Sequence, residues 1–267
     1  MSDSVFQALA ELEHNHQAAA LCTIIRRQGS TPRDVGSKML VYPDGSIIGT
    51  VGGGEVENRV IEEALAALED ANPRVLPYSM VDPQRGDPGV CGGQLEIFVE
   101  PIFPPPLLVV IGSGHVGKAV AHLAHWLGFR VAVSDDRPEF CTPEAVPAAD
   151  EYYPVSMAQL PDHLKITPWS YLVLTTRGAN VDIEGLPALL ESPAAYLGII
   201  GSRRRWETTR KALIEAGIAP EKLDNICSPI GLELNAQTPE EIAVSIMAEI
   251  LMLRGSGDGL SMSAFKR

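Results

Sequence analysis

Gly112, Gly114 and Gly117 stand in the spacing G-x-G-x-x-G within VVIGSGHVGKAV, directly after an apolar run and at the start of a helical one. Glycine at the first two positions lets the chain turn sharply and lets the backbone approach a pyrophosphate. The N-terminus of the following helix offers unpaired N–H groups and a partial positive charge. Ser113 and His115 lie inside the same loop, and Asp135, Asp136 and Arg137 end the next strand. An acid at that place suits a free ribose hydroxyl and an arginine suits a ribose phosphate. The motif therefore predicts a dinucleotide such as NAD or NADP without choosing between them. A bend of this shape that has lost its ligand is the competing reading. Gly112 to Lys118 also fit G-x-x-x-x-G-K, but Ala119 follows, which leaves no hydroxyl for magnesium and excludes a nucleotide-triphosphate loop.

A second glycine-tipped strand, YLGIIGSRRRWETTRKAL, hands over to a helix at Gly201 and Ser202, with Arg203, Arg204 and Arg205 crowding the first turn. Cations there oppose the helix dipole, and a bound anion would relieve the conflict. A solvated basic turn, or arginines paired with an acidic surface, is the alternative. LTTRGANVD ends another strand with Arg177 beside Gly178. If these strands are parallel, Gly112, Asp135, Arg177 and Gly201 share the carboxyl edge of one sheet, where open α/β sheets hold ligands.

Nearer the N-terminus, GTVGGGEVE sets Gly52, Gly53 and Gly54 between β-formers and a helical segment. Such a bend either presents backbone donors to an oxygen-rich anion or only reverses the chain, with Glu55 and Glu57 satisfying the helix start. Arg33 joins Ser30, Thr31 and Lys38 in GSTPRDVGSKM, and Cys91 lies beside two glycines in GVCGGQLE. A lone cysteine usually packs, so packing is favoured over reactivity there. His122 and His125 lie three apart on a helix without further ligands close by, and His14 and His16 read as a polar turn, so no metal site is predicted. Neither G-x-S-x-G nor H-E-x-x-H occurs, and no catalytic residue is assigned.

The elements that must carry these residues fall into two groups. AAALCTIIRR, KMLVYP, SIIGTV, RVLPYSMV and QLEIFVEP read as strands around the amphipathic helix EVENRVIEEALAALED, with Asp44-Gly45 as a two-residue hairpin turn. Pro101 and Pro104 to Pro106 then stiffen a connector. Beyond it, wholly apolar strands alternate with helices, the mark of a doubly wound parallel sheet. Thr238, Pro239 and Glu241 start the last helix as a capping box, and Gly255 ends it. The expected fold is α/β: an N-terminal α+β domain over 1–103, a Rossmann-like doubly wound domain over 104–255 and a flexible tail over 256–267.

The 267 residues carry a formal charge of -13, which argues against nucleic acid and anionic membrane surfaces as partners. The apolar runs fall short of a membrane span, and the N-terminus lacks the basic start and apolar middle of a secretory signal, so a cytoplasmic place is expected. Cys22, Cys91, Cys141 and Cys227 form no CxxC pair and read as reduced, mostly buried thiols.

Taken in order, GSTPRDVGSKMLVYPDGSIIGTVGGGEVE, CGGQLEIFVEP, VVIGSGHVGKAV, SDDRPEF, TTRGANVD, GIIGSRRR and SPIGLELNAQTPEEIAVSIMAEI resemble the XdhC/CoxI family, over nearly the whole chain. These are accessory proteins of xanthine dehydrogenase and related molybdenum hydroxylases. The resemblance implies a chaperone more than an enzyme. It would bind the molybdenum cofactor (molybdopterin), protect it while a terminal sulfur is installed, and pass it to a xanthine dehydrogenase-type apo-hydroxylase. A cysteine desulfurase as sulfur donor and a homodimer are implied likewise. Two positions depart from the pattern: Glu55 stands where many relatives carry Cys, and Ala179 where many carry His. An NAD(P)-dependent oxidoreductase and a non-catalytic NAD(P)-binding sensor are the alternatives.

Overall fold

β-Branched and aliphatic runs dominate both halves of the chain, but they pair differently on either side of the proline connector. In the computed structural model, which describes residues 2–79 and 93–263, the chain divides into two units, Met1–Pro104 and Pro105–Arg267. The first contains α1 (Ser2–Asn15), β1 (Ala19–Gln28), β2 (Lys38–Val41), β3 (Ile47–Gly49), α2 (Gly54–Asp70), β4 (Arg74–Ser79) and β5 (Gln94–Ile102). Its strands form an antiparallel sheet in the order β3-β2-β1-β5-β4. Alternation along β1 and β5 sends Ala20, Cys22, Ile24, Leu95, Ile97 and Val99 to one face. There they meet Val56, Val60, Ala64 and Ala67, a stripe at helical spacing on α2.

The other face of that sheet packs Ala19 and Leu40 against Val5, Ala8 and Leu12 of α1. This helix is absent from the sequence reading, because acidic residues interrupt a stripe only three residues long. His14 accordingly lies in a helix rather than a polar turn. The β2–β3 hairpin also differs from expectation. Tyr42 N–H donates to Ser46 O at 2.9 Å, which leaves a three-residue loop, Pro43 to Gly45, in place of a two-residue turn. Proline sets the first turn position and Gly45 takes the left-handed one at φ +80°. Pro101 belongs to β5, opposite Ala20, and not to the connector.

The second unit holds β6 (Leu107–Ile111), α3 (His115–Trp126), β7 (Arg130–Ser134), β8 (Glu151–Tyr153), α4 (Leu160–His163), β9 (Ser170–Leu174), α5 (Ala179–Gly185), β10 (Tyr196–Ile199), α6 (Arg203–Glu215) and α7 (Pro239–Arg254). The strands are parallel in the order β10-β9-β6-β7-β8, and every residue of β6 and β9 is buried. α3 and α7 cover one face, α5 and α6 the other, giving a Rossmann-like doubly wound sheet. Chain order reverses between β6 and β9, so a crevice opens at their carboxyl ends.

The start of α7 is a capping box: Thr238 Oγ1 accepts from Glu241 N–H at 3.2 Å, and the Glu241 carboxylate accepts from Thr238 N–H at 3.1 Å. Thr238→Ala is expected to lower stability by about 1 kcal/mol in urea unfolding, the usual worth of an N-cap. Among the described residues, no helix is long and apolar enough to cross a membrane.

Candidate functional site

The three glycines of the β6–α3 loop answer to different demands. Gly112 has φ +101°, and a Cβ there would stand 2.7 Å from the Thr175 carbonyl oxygen. At Gly117 a Cβ would meet Gly112 O at 2.1 Å and Thr175 Oγ1 at 2.8 Å, so helix and strand touch through bare backbone. Thr175 Oγ1 locks the contact by donating to Gly112 O at 2.5 Å. Gly114 has neither constraint: its φ is -72°, and nothing lies within 4 Å of its missing Cβ. α3 begins there with no side-chain cap and no acid in its first turn. His115, its first residue, is exposed. Ser113 is fully buried, and its hydroxyl has no hydrogen-bond partner among the described residues.

Asp135 faces the protein itself. Its carboxylate accepts from Ser113 N–H at 2.8 Å, from Arg137 N–H at 3.1 Å, and from Arg137 Nε and Nη2 at 2.9 Å each. Arg137 also stacks on Phe140, 3.9 Å from the ring centre. This pair fastens the glycine loop to the end of β7. Asp136 is exposed and takes both Arg177 nitrogens, at 2.6 and 2.7 Å. The Arg177 charge is thus already met by a carboxylate. A cleft of about 90 Å³ lies between Gly112, Asp136, Met157, Thr176 and Arg177, room for about three waters at ~30 Å³ each.

The Arg177 hydrogen bonds hold the Asp136 carboxyl below its ordinary range. With its folded pKa depressed, the pair's contribution is present above the unfolded value and lost as pH falls through the folded one. Arg177→Met is expected to return the Asp136 midpoint upward, read by NMR titration of its side-chain carboxyl. An unmoved midpoint would show that the pair does not persist in solution.

The three arginines of α6 part company. Ser202 Oγ caps the helix by accepting from Arg205 N–H at 3.2 Å. Arg203 and Arg204 are exposed and pair with no carboxylate among the described residues. Arg205 turns inward: Nη2 donates to Asp182 at 2.6 Å and to Thr176 Oγ1 at 2.6 Å, Nε to Asp182 at 3.1 Å and Nη1 to Thr176 O at 3.3 Å. Asp182 is fully buried and also accepts from the Thr176 hydroxyl. Gly201, at φ +146°, leaves room for this side chain, since a Cβ there would stand 2.8 Å from Arg205 Cδ. Sequence reading missed the pair; its one signal is an acid set between Val181 and Ile183 in α5.

In the first unit, Gly52, Gly53 and Gly54 have φ of +157°, +91° and +62°, so the turn itself demands glycine. Alanine at Gly53 would strain it with or without a guest. Gly52 lies against Pro32, and a Cβ at Gly93 would meet Ser30 O at 2.2 Å, which brings the bend, the Ser30 to Arg33 loop and Gly93 together. Arg33 is exposed. Glu57 takes the Thr50 hydroxyl instead of a helix N–H, and α2 starts without a side-chain cap. Glu55 lines a cleft of about 440 Å³ with Arg27, Arg59, Tyr78, Gln94 and Leu95.

Cys91 lies outside the described residues. Cys22 and Cys141 are buried free thiols, and burial pushes Cys22 up to about 12. No group of His, Cys, Asp or Glu among the described residues could hold a metal ion.

Comparison with known proteins adds a lineage to this geometry. The family model described as "XdhC Rossmann domain" matches residues 108–250, and that described as "XdhC and CoxI family" matches residues 12–79. The chain is 38% identical over 260 residues to the uncharacterized protein YqeB of Escherichia coli (strain K12), covering 96% of this chain and 47% of that one, so it spans about half the relative's length. It is 25% identical to a probable xanthine dehydrogenase subunit of Bacillus subtilis (strain 168), over 92% of this chain and 96% of the relative. It is 24% identical to the molybdenum cofactor insertion chaperone PaoD of Escherichia coli (strain K12), over 89% and 84%. A crystal structure titled as a xanthine dehydrogenase from Bacillus halodurans shares the fold, with a TM-score of 0.51, 24% identity and coverage of 98% and 99%.

Proposed function

This chain belongs to the XdhC and CoxI family, and from that premise we propose that it binds the molybdenum cofactor as cargo. In this reading it shelters the cofactor while a terminal sulfur is installed and delivers it to a xanthine dehydrogenase-type hydroxylase. A cysteine desulfurase supplies the sulfur, and the working form is a homodimer. The observation that carries the reading is that family models match both units of the chain.

The residues suit an anionic guest. The uncapped start of α3 leaves backbone N–H groups open beside Gly114. Arg203 and Arg204 stand unpaired among the described residues at the same sheet edge, ready for charge-assisted bonds to phosphate oxygens. A second reading, in which the loop binds the pyrophosphate of NAD or NADP, draws on the same open face of Gly114 and is checked by titration with either nucleotide. For the first, protein purified from a cofactor-producing host is oxidised and its fluorescent pterin products are measured. Pterin in near-equal amount to protein is expected, and none would overturn the proposal.

A further inference from the structure

The cleft beside Glu55 owes its lining to an irregularity in β1. Ile24 lies opposite Ile97 and Arg26 opposite Glu96, so β1 advances two residues for one of β5, with Ile25 as the bulge. Residues directly opposite in an antiparallel pair share a face. The bulge therefore carries Arg27, and not Arg26, onto the α2 side, where Arg27, Leu95 and Tyr78 form one row across β1, β5 and β4. Leu95 and Tyr78 are buried in the core under α2. One turn along that helix from Glu55, the Arg59 guanidinium lies over the Tyr78 ring, 5.9 Å from its centre.

The floor of the cleft is thus apolar and aromatic, and its walls carry three guanidinium groups, two carboxylates and two amides, of which Arg26 and Glu96 pair with each other at 3.3 Å. Arg59 pairs with no carboxylate among the described residues. Among the described residues Arg27 pairs only with Asp34, whose side chain is 79% exposed, a contact worth little in water. In a chain of net charge -13, two arginines so lightly engaged at one cleft favour an anion from outside. The volume of about 440 Å³ lies within the range of small-molecule sites.

We propose that this cleft binds a flat aminopyrimidinone ring bearing an anionic group. Arg59 and Arg27 hold the anion, Tyr78 and Leu95 lie against the ring, and Glu55 accepts from its amino and ring N–H edge. A guanidinium over an aromatic face is itself a stacking surface, which suits a planar guest. That the ring is a pterin rests on the cofactor-cargo reading; the recognition chemistry does not.

The test uses the full chain and the fluorescent compound pterin-6-carboxylate, with folding of each variant checked by circular dichroism. Saturable quenching is expected, weakened about tenfold or more in Arg59→Gln and in Glu55→Gln, as fits loss of one charge-assisted contact, and unchanged in Lys211→Gln, an exposed site on α6. No binding by the unaltered protein, or parental affinity in the two cleft variants, overturns the proposal. Pterin content after purification separates this proposal from the broader one. If Arg59→Gln retains as much cofactor as the parent, the cleft is not the site, although the cargo reading stands. If the parent carries none yet binds pterin-6-carboxylate through Arg59, the cleft stands and the cargo reading falls.

Discussion

Arg205→Ala is expected to destabilise the second unit by about 3–5 kcal/mol, the usual result of removing one partner from a buried ion pair. Asp182 is fully buried, and among the described residues its charge would keep only the Thr176 hydroxyl once the guanidinium is gone. The effect should spread to the sheet edge, because Arg205 ties α6 to α5 and to the end of β9 next to Arg177. All three tryptophans, Trp126, Trp169 and Trp206, lie in the second unit, so their fluorescence during urea unfolding follows that unit alone. Replacing both partners by apolar residues, Asp182→Leu with Arg205→Met, should recover most of the loss. A single variant within about 1 kcal/mol of the parent would mean that water already reaches Asp182, since exposed pairs contribute that little.

The glycine loop supplies the second large effect through a contrast between neighbours. Gly117→Ala would thrust a methyl to 2.1 Å from a backbone carbonyl, and neither partner is a flexible side-chain end. α3 must lift from β6, with an expected loss of about 3 kcal/mol, the upper range for overpacking. Gly114→Ala places its methyl in open space at an ordinary φ, so stability should change by less than about 1 kcal/mol. The same methyl would occupy the approach to the α3 N-terminus, and affinity for a phosphate-bearing guest should fall about tenfold or more, the size of one lost charge-assisted contact. Equilibrium dialysis against the guest, paired with urea unfolding, reads both quantities. Parental affinity in Gly114→Ala would reduce the loop to a bend.

Much of the fold was legible because it is written in local pattern. The buried strands of the second unit appear as uninterrupted aliphatic runs, α2 as a stripe, and the start of α7 as a capping box. The edge shared by Gly112, Asp135, Arg177 and Gly201 followed from parallel pairing alone. What stayed hidden depends on partners distant in sequence. Arg203, Arg204 and Arg205 look alike in the chain, and only the position of Asp182 on α5 separates the buried one from the exposed two. Asp135 has the residue type of a ribose ligand, but its carboxylate also holds the N–H groups of Ser113 and Arg137, partners that only the fold brings to it. Arg27 reaches its cleft by a strand irregularity that no periodicity announces. The length of the turn at Gly45 and the weak stripe of α1 escaped for a simpler reason: each rests on three or four residues.

Of the three glycines in its loop, Gly114 alone is held to glycine by neither conformation nor packing. Drift at that position is therefore restrained by whatever the loop receives and by little else. A bulkier residue there would leave the fold nearly as stable and close the approach to the α3 N-terminus, so folding and reception are separable at this single position.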